Sequence, residues 1–202
     1  LTSGLTWIPL YVALLYLVVK NNETMAQIGL AVGAAVVCII LAGGVDDFIV
    51  KPMVGRLRPC NDPAIPLQLN LIEGTIDKSF SFFSAHAANT FSLAVFLSLL
   101  VRDRLFSVTM VLWALLNCWT RLYLGVHYPS DVLCGLLYGC IVGVIVYIAY
   151  YKLFYKFNTK FQYVSSQYTA TGYAKVDIDV VVSTLVLTLA VMILWAFCSL
   201  SI

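Results

Sequence analysis

The chain has 202 residues, of which 61% are hydrophobic and only 11% are charged. Soluble globular proteins have roughly 45–50% apolar and about 25% charged residues, so this composition is that of a membrane protein. It excludes a disordered chain, a collagen, a coiled coil and a secreted disulfide scaffold. The net charge of +2 comes from basic residues spread along the chain, which predicts no nucleic-acid partner.

Six stretches of the sequence carry no formal charge. A membrane span needs about 20 residues, because a helix rises about 1.5 Å per residue and the hydrocarbon core is about 30 Å thick. The chain is therefore predicted to be an all-α, polytopic membrane bundle of six transmembrane helices. The fourth stretch is the shortest, so we expect its helix to continue into Arg121. The six stretches are Leu1–Val19, Thr24–Val45, Ser79–Val101, Leu105–Thr120, Val132–Tyr151 and Val180–Ile202.

Local signals predict where several of these helices begin and end. Asp46 and Asp47 are expected to mark the exit of the second helix from the bilayer. Ser84 is the expected N-cap of the third helix, and Pro129 is expected to open the fifth. The longest inner loop, Lys51–Phe83, contains four prolines that break any helix.

The chain is predicted to divide into three parts. Residues 1–151 form the membrane core. Residues 152–179 form a connector in which Tyr, Phe and Lys alternate, a mixture that suits the headgroup layer. Residues 180–202 form an extra transmembrane helix. Because the sequence begins at Leu1 without a basic leader segment, we also expect N-terminal residues to have been lost.

Three polar clusters are predicted to meet on one face of the bundle, since alternating helices bring loops 51–83 and 121–131 to the same side. The clusters are K-x6-R-P from residue 51, S-x-H from residue 84 and R-x5-H-x3-D from residue 121. They contain both histidines of the chain. Ionisable residues at membrane depth are costly and usually mark function, so the clusters predict a site.

The residue types in these clusters suit phosphate chemistry. Lys51, Arg58 and Arg121 could be cations that merely extend to the headgroups. Together, however, they supply up to three positive charges, and guanidinium groups match phosphate oxygens. Ser84 adds the positive end of a helix.

The two histidines suggest how a phosphoryl group would react. Asp131 follows His127 by four residues, a spacing that can bring a carboxylate to an imidazole nitrogen. Such a carboxylate would fix the tautomer and leave the other nitrogen free to attack phosphorus. His86 could then protonate the leaving oxygen. The alternative is a metal site built from the same three side chains, which the neighbouring cations disfavour.

The order and spacing of the clusters resemble the motifs of the type 2 phosphatidic acid phosphatase (PAP2) family, which shares its active site with vanadium haloperoxidases. The resemblance extends over about residues 25–151. It implies a phosphohistidine intermediate and no metal or other cofactor. The implied phosphate-binding residues are Lys51, Arg58, Ser84, Ala85 and Arg121, with His86 as general acid, His127 as nucleophile and Asp131 as orienting carboxylate.

Two positions depart from the family pattern. The usual P-S-G-H reads Phe83-Ser84-Ala85-His86, and Ala85 keeps the backbone N–H but tolerates fewer backbone angles than glycine. Thr120 replaces the common serine and keeps the hydroxyl. Family members place the first motif after a third helix, whereas here it follows the second. One N-terminal helix is therefore expected to be missing.

The resemblance implies a phosphatase that acts on a lipid phosphate or diphosphate, with undecaprenyl diphosphate or a lipid A phosphate favoured. The alternatives are an anion-binding membrane transporter, which gives no reason for the spacing of His127 and Asp131, and a vanadate-dependent haloperoxidase-like enzyme. Loop Asn61–Phe80 is the expected headgroup selector, through Asp62, Glu73 and Asp77. Membrane lipids are the expected surroundings, and the sequence carries no signal for an oligomeric state.

The distribution of lysine and arginine predicts the orientation. Seven lie on the face away from the clusters and five on the cluster face, and phosphate binding accounts for three of those five. Because basic residues are retained in the cytoplasm, the site is expected to face the periplasm from a bacterial inner membrane.

Overall fold

The computed structural model describes residues 4–63, 79–157 and 165–200. These residues form no strand and six helices of more than ten residues, which confirms the predicted all-α bundle. Four segments are long and apolar enough to cross a membrane, while α1 and α4 are shorter apolar helices. The helices are α1 (Ile8–Lys20), α2 (Met25–Ile39), the short α3 (Lys51–Val54), α4 (Ala85–Val101), α5 (Arg104–Tyr123), α6 (Pro129–Phe157) and α7 (Lys175–Leu200).

The second transmembrane helix, expected over about residues 25–50, continues to Val54. After α2 it continues through the wide π-helical turns Ile40–Gly44 and Asp46–Val50 into α3. The Lys51 N–H donates to the carbonyl of Asp46, five residues earlier. Gly55, in the left-handed region at φ 61°, ends the helix. Asp46, predicted at the exit from the bilayer, is instead fully buried inside the bundle.

Helices α4 and α6 pack against each other unusually closely. Helix α6 presents Gly135, Gly139 and Gly143 at intervals of four residues. A Cβ atom on these glycines would lie 2.7, 2.5 and 2.7 Å from main-chain oxygens of α4. The two backbones can therefore approach only because these positions carry no side chain. The contacts run in the same order along both helices, so the N-termini of α4 and α6 lie at one end.

The predicted signals for the other helix ends are confirmed. Ser84 is the N-cap of α4, and its hydroxyl accepts a hydrogen bond from the Ala87 N–H at 3.4 Å. Pro129 is the first residue of α6. Helix α5 continues to Tyr123 and includes Arg121.

Helix α7 is tied to the turn after α1. Asp177 is only 8% exposed and accepts hydrogen bonds from the Tyr16 hydroxyl and the Asn21 amide, both at 3.0 Å. The side-chain oxygen Oδ1 of Asn21 accepts from the Ala174 N–H at 2.8 Å. The N-terminal end of α7 is therefore anchored to the bundle.

The segment predicted as a connector is partly helical. Helix α6 extends to Phe157 and α7 begins at Lys175, so both reach into residues 152–179. Residues 158–164 of the connector lie outside the described residues, as do residues 1–3 and 201–202 at the ends of the first and last predicted helices.

Candidate active site

The structure brings the three sequence clusters to the shared N-terminal end of α4 and α6. The Ser84 N–H donates to the carbonyl oxygen of Asp131 at 3.1 Å, which joins the second cluster to the third. Arg58 Nη1 lies 3.5 Å from His127 Nε2, which joins the first to the third. Several of these polar side chains are buried, an arrangement that packing alone does not require. The buried members are Lys51, Arg58, Ser84, His127 and Asp131, and the adjacent Thr120 is also buried.

The surroundings of His127 fix its tautomer. Nδ1 lies 2.8 Å from the main-chain oxygen of Ser81, while Nε2 faces the Arg58 guanidinium. A carbonyl oxygen only accepts hydrogen bonds and an arginine only donates them. Nδ1 therefore carries the proton, and Nε2 presents its lone pair. This is the protonation state that a nucleophilic imidazole requires.

The same surroundings keep His127 uncharged. Burial lowers the pKa of His127 from its ordinary value of 6.5 to about 4, and the positive charge of Arg58 lowers it as well. The hydrogen bond to the Ser81 carbonyl and the charge of Asp131 oppose this shift. At neutral pH the imidazole is therefore uncharged, and its Nε2 carries no proton.

Asp131 lies near His127 without hydrogen-bonding to it. Its Oδ2 is 3.8 Å from His127 Nδ1, which is too far for a hydrogen bond. Oδ1 accepts from Arg56 Nη1 at 2.7 Å. Oδ2 accepts from the Tyr128 N–H at 3.0 Å and from the Ser81 hydroxyl. Asp131 was predicted to orient the imidazole by a direct hydrogen bond. It instead binds the residues around the imidazole, Arg56, Ser81 and Tyr128.

Lys51 is held by two carboxylates. Its ammonium lies 3.2 Å from Asp46 Oδ2 and 2.5 Å from Asp47 Oδ1. Asp46 Oδ1 also accepts a hydrogen bond from the Phe83 N–H at 3.1 Å. Asp46 therefore connects the lysine of the first cluster to the residue that precedes Ser84. Sequence reasoning missed this role, because in a regular α-helix the same-face neighbours of a residue lie three and four positions away, and Asp46 lies five positions before Lys51.

Arg56 is a second residue that sequence reasoning left out of the site. Besides Asp131, its Nη1 donates to the Ser130 hydroxyl at 3.0 Å. Its Cζ lies 3.8 Å from the centroid of the Tyr128 ring, and the Tyr128 hydroxyl donates to Asp62 Oδ2 at 2.8 Å. Of the three acids predicted to select the headgroup, the structure describes Asp62. Glu73 and Asp77 lie outside the described residues.

The remaining predicted residues lie around this centre. His86, in the first turn of α4, is exposed and within electrostatic range of Arg121, Lys51 and Arg58. Ala85 is buried beside it. The Thr120 hydroxyl accepts from Arg121 Nε at 3.4 Å. The end of the bundle thus combines the three predicted phosphate-binding cations and Arg56 with one buried neutral imidazole and one accessible imidazole.

Such an arrangement can bind an anion and attack it. The cations and the start of α4 provide charge and N–H groups for phosphate oxygens. The lone pair on His127 Nε2 is a group that can act as a nucleophile. Within the described ranges, no three His, Cys, Asp or Glu side chains meet in a group that could hold a metal ion.

Comparisons with known proteins give consistent similarities. Residues 31–155 match the PAP2 superfamily. The chain is 40% identical over 138 residues to the lipid A 4'-phosphatase of Bacteroides thetaiotaomicron, covering 67% of the chain and 60% of that protein. It is 28% identical over 131 residues to the lipid A 4'-phosphatase of Porphyromonas gingivalis, covering 65% and 55%.

A third relative is the putative undecaprenyl-diphosphatase of Escherichia coli, 30% identical over 135 residues, with coverage of 66% of the chain and 61% of the relative. The matched region therefore spans between 55% and 61% of the length of these three relatives. No solved structure matches the chain significantly.

Proposed function

Because the chain belongs to the PAP2 superfamily, we propose that it is a membrane phosphatase that removes a phosphate group from a lipid phosphate or diphosphate. The observation that carries this proposal is the geometry of His127. Its Nδ1 is bound to a carbonyl oxygen, and its Nε2 is directed at the Arg58 guanidinium. A neutral nucleophile beside a fixed phosphate-binding cation is what phosphoryl transfer to the protein needs.

The first step forms a phosphohistidine. His127 Nε2 attacks phosphorus, a P–N bond forms and the P–O bond to the lipid breaks. His86, protonated once the anionic phosphate is bound beside it, gives its proton to the leaving oxygen. Lys51, Arg58 and Arg121 neutralise the charge on the transferring group, which is the dominant requirement of phosphoryl transfer.

The second step releases inorganic phosphate. His86, now neutral, accepts a proton from a water molecule whose oxygen attacks phosphorus. The new P–O bond forms as the P–N bond breaks, and His127 returns to its starting state. We propose that Ser84, at the start of α4, and the N–H of Ala85 donate to the phosphate oxygens during both steps.

A lipid is the proposed substrate because the site lies at the end of helices that can cross a membrane. A phosphorylated lipid can then present its headgroup to the site from within the leaflet. The names of the relatives favour the 4'-phosphate of lipid A first and a polyprenyl diphosphate second.

We further propose that the chain lies in a bacterial inner membrane with its site facing the periplasm. The support is the excess of lysine and arginine at the other end of the bundle. In a background without Cys60, a cysteine in place of Asp62 should react with an impermeant maleimide in intact spheroplasts, and one in place of Arg104 should not. The reverse labelling would overturn this orientation.

The direct test of the proposed function is phosphate release by the purified, full-length protein. The substrates are lipid A 4'-phosphate, a polyprenyl diphosphate and phosphatidate in mixed micelles. We expect release from at least one lipid, and loss of that release in His127→Ala. An anion transporter would instead bind these headgroups without releasing phosphate, and that outcome would refute the proposal.

A further inference from the structure

Ser81 lies between the proposed nucleophile and the carboxylate assigned to orient it. The residue is fully buried. Its main-chain oxygen accepts from His127 Nδ1 at 2.8 Å, and its hydroxyl donates to Asp131 Oδ2. Its N–H donates to the main-chain oxygen of Arg56 at 2.8 Å. All three polar groups of this one residue are therefore used inside the site.

The segment around Ser81 has no regular secondary structure to hold it. Residues 79–84 precede α4 as an irregular stretch. A carbonyl oxygen in such a stretch points at an imidazole only if other contacts fix the backbone. The bond from the Ser81 hydroxyl to Asp131 and the bond from its N–H to Arg56 supply that restraint from two sides.

Both carboxylate oxygens of Asp131 take part in this restraint. Oδ1 is occupied by Arg56, and Oδ2 by the Ser81 hydroxyl and the Tyr128 N–H. With 3.8 Å between Oδ2 and His127 Nδ1, the carboxylate leaves the imidazole proton to the Ser81 carbonyl. Asp131 can therefore affect the tautomer of His127 by holding Ser81 in place.

We infer that Ser81 is a positioning residue for the nucleophile and that Asp131 acts on His127 chiefly through Ser81 and Arg56. This inference rests on the proposed phosphatase function. Arg56 belongs to the same unit, because it binds Asp131 through its side chain and Ser81 through its carbonyl. The unit fixes Nδ1 as the protonated nitrogen, so Nε2 remains the nucleophile.

The test is a double-mutant cycle between Ser81→Ala and Asp131→Asn, assayed on whichever lipid the wild-type protein hydrolyses. Ser81→Ala removes the hydroxyl and keeps the carbonyl. We expect each single variant to lower kcat by about tenfold to a hundredfold with KM within about twofold, as for one lost hydrogen bond to a charged group. The kcat of the double variant should be no lower than that of the less active single variant, because both changes break the same interaction.

Ser92→Ala is the matched control. Ser92 is also fully buried, and its hydroxyl donates to a main-chain oxygen of α4, that of Asn89, at 3.0 Å. This variant should keep the wild-type kcat. Ser81→Thr restores a hydroxyl at the tested position and should recover most of the kcat lost in Ser81→Ala.

A second readout follows the tautomer without activity. In a His86→Gln background, 15N-histidine NMR reports His127 alone, because the chain has two histidines. We expect the proton on Nδ1 with Ser81 present, and a mixture of tautomers in Ser81→Ala. Because this measurement does not depend on activity, it still tests the role of Ser81 if Ser81→Ala is poorly active.

Three results would overturn the inference. They are a wild-type kcat in Ser81→Ala beside a low kcat in Asp131→Asn, losses that multiply in the double variant, and a proton on Nε2 in the protein with Ser81. Absence of phosphate release by the wild-type protein would instead refute the proposed function. The NMR result would still decide the role of Ser81 in the tautomer.

Discussion

Asp46 Oδ2 lies 3.2 Å from the ammonium of Lys51 in the buried interior of the bundle. The widened turns between α2 and α3 place these residues on one side of the helix, five positions apart. Since Asp46 also accepts from the Phe83 N–H, it links Lys51, the first predicted phosphate-binding cation, to the start of α4.

Replacing Asp46 should therefore damage the site more than replacing its neighbour. Asp46→Asn leaves Lys51 buried without its inner partner, a change that typically costs about 3–5 kcal/mol. We expect a lower melting temperature and at least a tenfold lower kcat/KM. Asp47→Asn is the matched control, because that side chain is 54% exposed and such pairs contribute about 0–1 kcal/mol. Equal effects of the two variants on melting and phosphate release would contradict this role of Asp46.

The acid titration of His127 gives a second prediction. Burial lowers the pKa of His127 to about 4, so protonation is disfavoured in the folded state. The stability from this residue is present above its unfolded pKa of about 6.5 and is lost as the pH falls from there toward 4.

NMR titration of labelled histidine should find His127 neutral from pH 8 down to about pH 5. Arg58→Gln removes a positive charge and should raise the pKa of His127. A titration midpoint near 6.5 in the folded protein would show that the imidazole is not shielded as the structure indicates.

The close packing of α4 and α6 gives a third prediction. In Gly139→Ala the new Cβ would lie 2.5 Å from the main-chain oxygen of Ala88, so the helices must separate. Overpacking of this kind typically costs about 1–3 kcal/mol, and here it also shifts the N-termini that carry Ser84 and His127.

We expect Gly139→Ala to lose both thermal stability and phosphate release. Gly33→Ala is the control, because nothing lies within 4 Å of its Cβ position and alanine favours a helix. A Gly139→Ala protein as stable as Gly33→Ala would mean that the two helices are not in close contact.

Much of the fold could be predicted from the sequence because its signals are local. Uncharged apolar stretches predicted six helices, and Ser84 and Pro129 predicted two helix starts. The burial of Asp46 was missed, since the π-helical turns of the second helix bury this residue where an acid normally indicates an exit from the bilayer. The close pairing of α4 and α6 required knowing which helix the glycines of α6 face.

In the candidate site too, residues with a local sequence signal could be predicted and residues without one could not. The spacing of His127, Asp131 and the predicted phosphate-binding cations in the chain is itself a motif, so the sequence could assign them to one candidate site. Ser81 was missed because it contributes a main-chain oxygen to His127, and a carbonyl is present at every position. Arg56 was missed because its partner, Asp131, lies 75 residues away in the sequence.

The measurement that tests the central claim most directly is capture of the phosphorylated protein. The full-length wild type is mixed with a 32P-labelled lipid phosphate, quenched in alkali and analysed by peptide mapping. We predict a label on His127 that is stable in alkali and lost in acid, as expected for a P–N bond, and that is absent from His127→Ala. Phosphate release without a labelled intermediate, or a label that persists in His127→Ala, would contradict His127 as the nucleophile.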